Sequence, residues 1–278
     1  MRIFFAVLLA AFTLPAVTSA QTLEKIKETG QLVVGFREDA APLSYLGDEG
    51  PQGYAPALCF ALAPSLAVAA GIEDMNVVFE TVTTDDRFDR IASGEIDLLC
   101  GAASITLSRR EIVDFSIPVF VDGTTVALKK EGPVDFAGLA GKKIGVRGGT
   151  TTLEALENSL ASMGVEAEVI QFDDHPSGMA ALDGDVISAY FADQSILMRM
   201  VLTSPNADDF KVLDRILTVE KQGLAMRRGD PDFRLAVDRG LSALFQKGAV
   251  SEVFEKQIPG AEAGAALQAM FLLSPVIP

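Results

Sequence analysis

The chain of 278 residues has one histidine and two cysteines, so it lacks the clustered Cys/His spacing of a zinc or iron–sulfur site, and no metal is expected. It has no G-x-G-x-x-G and no Gly-rich loop followed by Lys-Ser/Thr, which removes the usual nucleotide-binding loops. No Ser or Cys stands in a recognisable nucleophile elbow. It is short of positive charge, with 23 basic against 38 acidic residues. Such a surface repels nucleic acid and anionic lipid. Beyond the N-terminus no apolar run reaches the roughly 20 residues that span a bilayer. The longest, Ala55 to Ala70, also contains Pro64, and is expected to be a buried helix broken or kinked there. With 49% hydrophobic residues the chain is not disordered.

What is present begins with a leader. Arg2 is followed by an apolar stretch from Ile3 to Val17 and by small residues at Thr18-Ser19-Ala20. This is the pattern of a secretory signal peptide cleaved near Ala20, leaving a mature chain of charge −16 outside the inner membrane. No Cys follows the cleavage point, so no lipid anchor is expected. Cys59 and Cys100 would then meet an oxidising compartment. An even count in an exported protein favours a disulfide, and two buried free thiols are the alternative.

Along the mature chain, strands and helices alternate. Strands are expected at 31–36, 76–82, 96–100, 124–128, 143–146, 165–172, 186–191 and 221–226. Helices are expected at 23–30, 55–70, 85–93, 150–163, 177–182, 194–203 and from 230 to 256, with Pro42–Pro51 a loop. Thr151 and Glu154 fit a capping box for the helix that follows Gly148-Gly149. The grammar is α/β with mostly parallel sheets, and it restarts after Glu131-Gly132-Pro133. Two lobes follow: 21–125 with 218–278, and 126–217, joined by two crossing segments. Ligands in such sheets sit at the carboxyl ends of strands, often between domains.

The residues after each strand are therefore the candidates. Arg37 follows the first, Thr84 and Arg87 the second. The stretch Asp97 to Arg110 ends a strand in small residues, then presents Ser104, Thr106 and Arg109, so a carboxylate could be gripped by two guanidinium donors. Arg147 with Gly148-Gly149-Thr150-Thr151 ends another strand and opens a helix, whose free N–H groups attract anions. Asp174-His175 and Asp193 follow later strands. Four arginines at strand ends in so acidic a chain form a local cationic site.

Leu32-Val-Val-Gly-Phe-Arg37, Gly53-Tyr54, Asp97-Leu-Leu-Cys-Gly101 through Arg109, Val113-Asp-Phe-Ser-Ile-Pro118, Gly145-Val-Arg-Gly-Gly-Thr-Thr151 and Gly229-Asp-Pro-Asp232 occur in an order that resembles the periplasmic amino-acid-binding proteins of ABC transporters, solute-binding family 3. The resemblance implies a two-lobed type II periplasmic-binding fold, a monomer without cofactor, that captures an amino acid and delivers it to an inner-membrane permease. Position by position it implies that Arg109, with the N–H groups of Ser104 and Thr151, holds the α-carboxylate. Asp193, Ser104 and the Ala102 carbonyl would hold the ammonium. Arg37, Arg87 and His175 fall where glutamate/aspartate-binding members place cations, and Thr84 where they place a hydroxyl. Arg147 replaces their Thr, Ala102 their Ser, and Ser108 an acid. The implied ligand is an acidic amino acid. Cyclohexadienyl dehydratases look alike in fold and act on carboxylate-rich substrates with a general acid. Asp193 or Asp174 would have to serve, yet an Asp beside several arginines is expected to stay ionised. A detached sensor module is the third reading.

Overall fold

The computed structural model describes residues 22–133 and 135–276, so the leader and its cleavage point lie outside the described residues. Helix α1 (Thr22–Thr29) leads into β1 (Gln31–Arg37). The expected loop 42–51 is instead a small antiparallel ribbon of β2 (Asp39–Ala40), β3 (Ser44–Gly47) and β4 (Gly50–Gln52). Its anchor is the buried Ser44, whose hydroxyl accepts from Arg37 N at 3.0 Å and donates to Arg37 O at 2.9 Å. Helix α2 (Tyr54–Ala70) runs continuously through Pro64, so of the break or kink expected there the break does not occur. The proline removes one N–H, and the partner it deprives, Phe60, is 66% exposed and can be served by water.

Next come β5 (Asn76–Val82), α3 (Arg87–Ala92), β6 (Leu98–Leu99), the one-turn α4 (Leu107–Arg110) and β7 (Val113–Phe115). β8 (Phe120–Asp122) leads out of this unit, and β9 (Thr124–Lys129) joins the next sheet. That sheet is built with β10 (Lys143–Arg147), α5 (Thr151–Met163), β11 (Glu168–Phe172), α6 (His175–Asp183), β12 (Ala189–Asp193), α7 (Gln194–Thr203) and β13 (Phe210–Val212). The chain returns through β14 (Glu220–Gln222) to β15 (Ala225–Arg227) in the first sheet. It ends with α8 (Pro231–Gln246), α9 (Ala249–Gln257) and α10 (Ala265–Leu273).

The first sheet runs β5-β1-β6-β15-β7 and the second β11-β10-β12-β9-β13. In each, four strands run the same way and one runs against them, β15 in the first sheet and β9 in the second, the strands carried by the segments that cross between lobes. Those segments pair with each other as β8 and β14, Phe120 opposite Gln222. Gly123 sits at this crossing, and a Cβ there would stand 2.4 Å from Thr218 O, so no side chain fits.

Buried Cys59 on α2 and Cys100 after β6 form a disulfide, with Cα atoms 6.3 Å apart, within the normal span. The C-terminal α10 packs back on the first lobe through buried Leu267 and Met270. Phe271 lies 6.1 Å from the rings of Phe245 and Phe254.

Candidate functional site

The site lies where the carboxyl ends of both sheets meet. From the first lobe, Arg37 at the end of β1, Arg87 at the start of α3, and Ala102, Ser104 and Arg109 beyond β6 line one cavity. From the second, Thr150 and Thr151 at the start of α5, His175 opening α6 and Asp193 closing β12 line the same cavity. Thr152 and Ile196 complete it, and sequence reasoning named neither. The space left is about 20 Å³, little more than one water requires (about 10–15 Å³). Anything larger is admitted only if the lobes part.

Two expected residues, Thr84 and Arg147, stand outside the cavity, and with Arg87 they hold the lobes together. Thr84 donates its hydroxyl to Gly148 O at 3.0 Å, and Arg87 Nη2 donates to Gly149 O at 3.1 Å. Gly149 has φ +66, and a Cβ on it would lie 2.9–3.1 Å from Asp85 and Thr84 atoms, so only glycine permits this approach. Arg147 Nε donates across the cleft to Asp39 Oδ2 at 3.1 Å.

The end of the cavity near Arg109 is acidic. Arg109 Nη1 donates to Ser104 O at 2.9 Å, and its guanidinium lies 5.2 Å from the Phe88 ring centre. The one-turn α4 presents it, capped by Thr106, whose hydroxyl accepts from Arg109 N. Asp193 Oδ2 accepts from Gln222 Nε2 at 2.9 Å. Glu220 accepts from the hydroxyls of Thr151 at 2.6 Å and Thr218 at 2.7 Å. Burial works to raise the Glu220 pKa, but the Ser104, Thr151 and Thr218 hydroxyls outweigh it and the net shift is downward. Asp193 moves the other way: burial, then the nearby Asp122 and Glu220 carboxylates, push its pKa up, so it holds a proton more readily than a free carboxyl. This overturns the expectation that arginines would keep it ionised, since burial and the two neighbouring carboxylates outweigh them. Asp174 is the N-cap of α6, accepting from Ser177 N at 2.7 Å.

The opposite end is cationic. Arg37 is 3% exposed and Arg87 2%. Arg37 pairs with Asp39, 2.7 Å from Nη2, at an angle that leaves that nitrogen without a hydrogen bond. Arg87 Nε and Nη1 have no hydrogen-bond partner, nor does His175 Nε2. Burial, then Arg37, Arg109 and Arg147, lower the Arg87 pKa from 12.5 to about 8. His175 Nδ1 lies 3.0 Å from the Tyr190 hydroxyl. Burial first and Arg37 second lower its pKa to about 3. His175 is therefore a neutral donor or acceptor, not the cation the resemblance implied. Burial works to raise Asp39, but the Arg37 and Arg147 guanidiniums hold it below the usual carboxylate range. Asp39 was missed although its signal was available: it stands two residues beyond Arg37, on the same side of an extended chain.

Thr150, not Thr151, caps α5, donating to Arg147 O at 2.7 Å while accepting from Leu153 N. The expected capping box is thus absent, since the third helical residue is Leu153. Thr151 is freed to face Ser104, their hydroxyls 3.3 Å apart. Among the described residues there is no grouping of three metal-ligating side chains, and no helix long and apolar enough to cross a membrane.

The model of the bacterial extracellular solute-binding proteins, family 3, matches residues 32–259. The chain belongs to this family. The L-glutamate/L-aspartate-binding protein of Pseudomonas aeruginosa is 28% identical over 256 residues, covering 90% of this chain and 85% of that one. The glutamate/glutamine/aspartate/asparagine-binding protein BztA of Rhodobacter capsulatus is 30% identical over 231 residues, covering 82% and 67%. Among solved structures, an ancestral amino-acid-binding protein, precursor of cyclohexadienyl dehydratase, superposes with TM-score 0.75 at 26% identity, covering 85% of this chain and 99% of that one. The family membership fits the architecture: two lobes, two crossings, and one cleft whose residues come from both sides.

Proposed function

We propose that this protein binds an acidic amino acid between its lobes and delivers it to an ABC permease. The observation that carries the reading is the set of buried, unpartnered nitrogens at one end of the cavity: Arg87 Nε and Nη1, Arg37 Nη2 and His175 Nε2. Buried cations without acceptors are costly, and a ligand carboxylate supplies the missing acceptors through charge-assisted hydrogen bonds. The other end suits the amino-acid frame. Arg109 meets the α-carboxylate, and the ammonium meets Asp193, which gives up its proton on meeting a cation. Closure then removes the ligand from water. The relatives that bind glutamate and aspartate support the same assignment. Calorimetric titration with glutamate, aspartate, glutamine and arginine tests it. Glutamate or aspartate should bind most tightly, and tightest binding of arginine sinks the proposal.

One observation favours a second reading. A carboxyl inclined to keep its proton, Asp193, lies in a cleft rich in arginine, the arrangement a dehydratase needs for its general acid. Incubation with prephenate or arogenate, followed for aromatic products, decides between them. Turnover would displace the binding reading.

A further inference from the structure

Charges at the side-chain end of the cleft do not balance. Three guanidiniums are buried there, Arg37, Arg87 and Arg147, none more than 5% exposed. Each keeps its proton at neutral pH, Arg87 included, since its lowered pKa of about 8 still lies above 7. A single partly buried carboxylate answers them: Asp39, 2.7 Å from Arg37 Nη2 and 3.1 Å from Arg147 Nε. His175 is neutral there. Two more acids approach this end. Asp85 is exposed, so water screens it. Asp174 is half-buried, but one of its oxygens is committed to Ser177 N at the head of α6. Arg147 does not line the cavity, yet its charge reaches both Arg87 and His175.

A single distal carboxylate would leave this end one positive charge in excess, and an uncompensated buried charge is expensive. We infer that the cleft prefers an amino acid whose side group carries two negative charges, as a phosphonate or paired carboxylates do, and that Arg147 sets this preference by its field rather than by contact. The inference rests on the acidic-amino-acid reading and names the ligand class more narrowly.

The test compares glutamate with its phosphonate and sulfonate analogues at neutral pH, below the Arg87 pKa of about 8, by calorimetry on the mature chain. The two analogues share a tetrahedral head and differ by one charge. The phosphonate should bind about tenfold more tightly than the sulfonate, the worth of one added charge-assisted contact. Arg147→Gln should bring that ratio toward one, and Asp39→Asn, which removes the counter-charge paired with Arg37 and Arg147, should raise it. Both variants break the same ion pair, so mere loosening of the cleft would shift the two ratios in one direction. Equal binding of the analogues, with glutamate still bound, overturns the inference and leaves the acidic-amino-acid reading standing. Failure of all three ligands to bind overturns both.

Discussion

Arg87→Met should make the ligand-free protein more stable while crippling its binding. The side chain is 2% exposed, with one hydrogen bond to Gly149 O and two nitrogens unpartnered. Its pKa falls from 12.5 to about 8, which at about 1.36 kcal/mol per unit sets an upper limit near 6 kcal/mol on the cost of the buried cation. Opening of the lobes restores part of its hydration. The variant also loses the stacking of the guanidinium 4.7 Å from the Phe88 ring centre, worth about 1 kcal/mol. Replacing buried ions by apolar residues of similar volume has returned about 1–4 kcal/mol, so a net gain of about 2 kcal/mol is expected. For a chain of this size that raises Tm by about 4–8 °C. Because the sequence contains no tryptophan, circular dichroism or calorimetry is the suitable readout. Glutamate affinity should fall about a hundredfold, two charge-assisted hydrogen bonds being lost. The reasoning is refuted if ligand-free Arg87→Met melts lower than wild type while glutamate affinity is kept. Arg87 would then be a structural ion and not a donor awaiting ligand.

Two further outcomes are expected. His175 is the sole histidine, and its folded pKa of about 3 lies below the ordinary 6.5. As pH falls the unfolded chain takes up the proton first, so this group costs stability from about pH 6.5 down to about pH 3, near 2 kcal/mol between about pH 7 and pH 5. Asp193 and Asp122 have raised pKa values and act with the opposite sign, so the His175 contribution is read as wild type minus His175→Gln. A flat difference curve would contradict it. Secondly, the disulfide closes a loop of sequence separation 41, for which chain entropy gives about 4 kcal/mol. Cys59→Ala/Cys100→Ala should lower Tm by about 8–15 °C, and an unchanged melting point would show that the bridge restrains little.

The local rules served well where the answer was local. Strand ends predicted from β-branched runs and glycine stops placed Arg37, Arg87, Arg109 and Asp193 around one cavity, because parallel α/β sheets aim their carboxyl ends the same way. They failed where a contact from elsewhere decided. Ser44, reaching back to Arg37, turned an expected loop into a ribbon. Pro64 was tolerated because its helix continues past an exposed partner. The cap of α5 fell on Thr150 because its hydroxyl could also reach the Arg147 carbonyl.

The sequence by itself determined the export leader expected at the N-terminus, the α/β grammar, the even pair of cysteines and the roster of strand-end residues. Each depends on composition or on neighbours a few positions away. Charge state and pairing were decided only by the tertiary structure. Asp193 inclines to the protonated form because it is buried and because Asp122 and Glu220, brought by the two crossing segments, stand beside it. His175 is neutral because burial and Arg37 disfavour its cation. Asp39 claims Arg37 and Arg147, leaving Arg87 without an anion. The physical reason is common to all three: the free energy of a charge is set by desolvation and by charges within a few ångströms, and those neighbours come from opposite lobes of the fold.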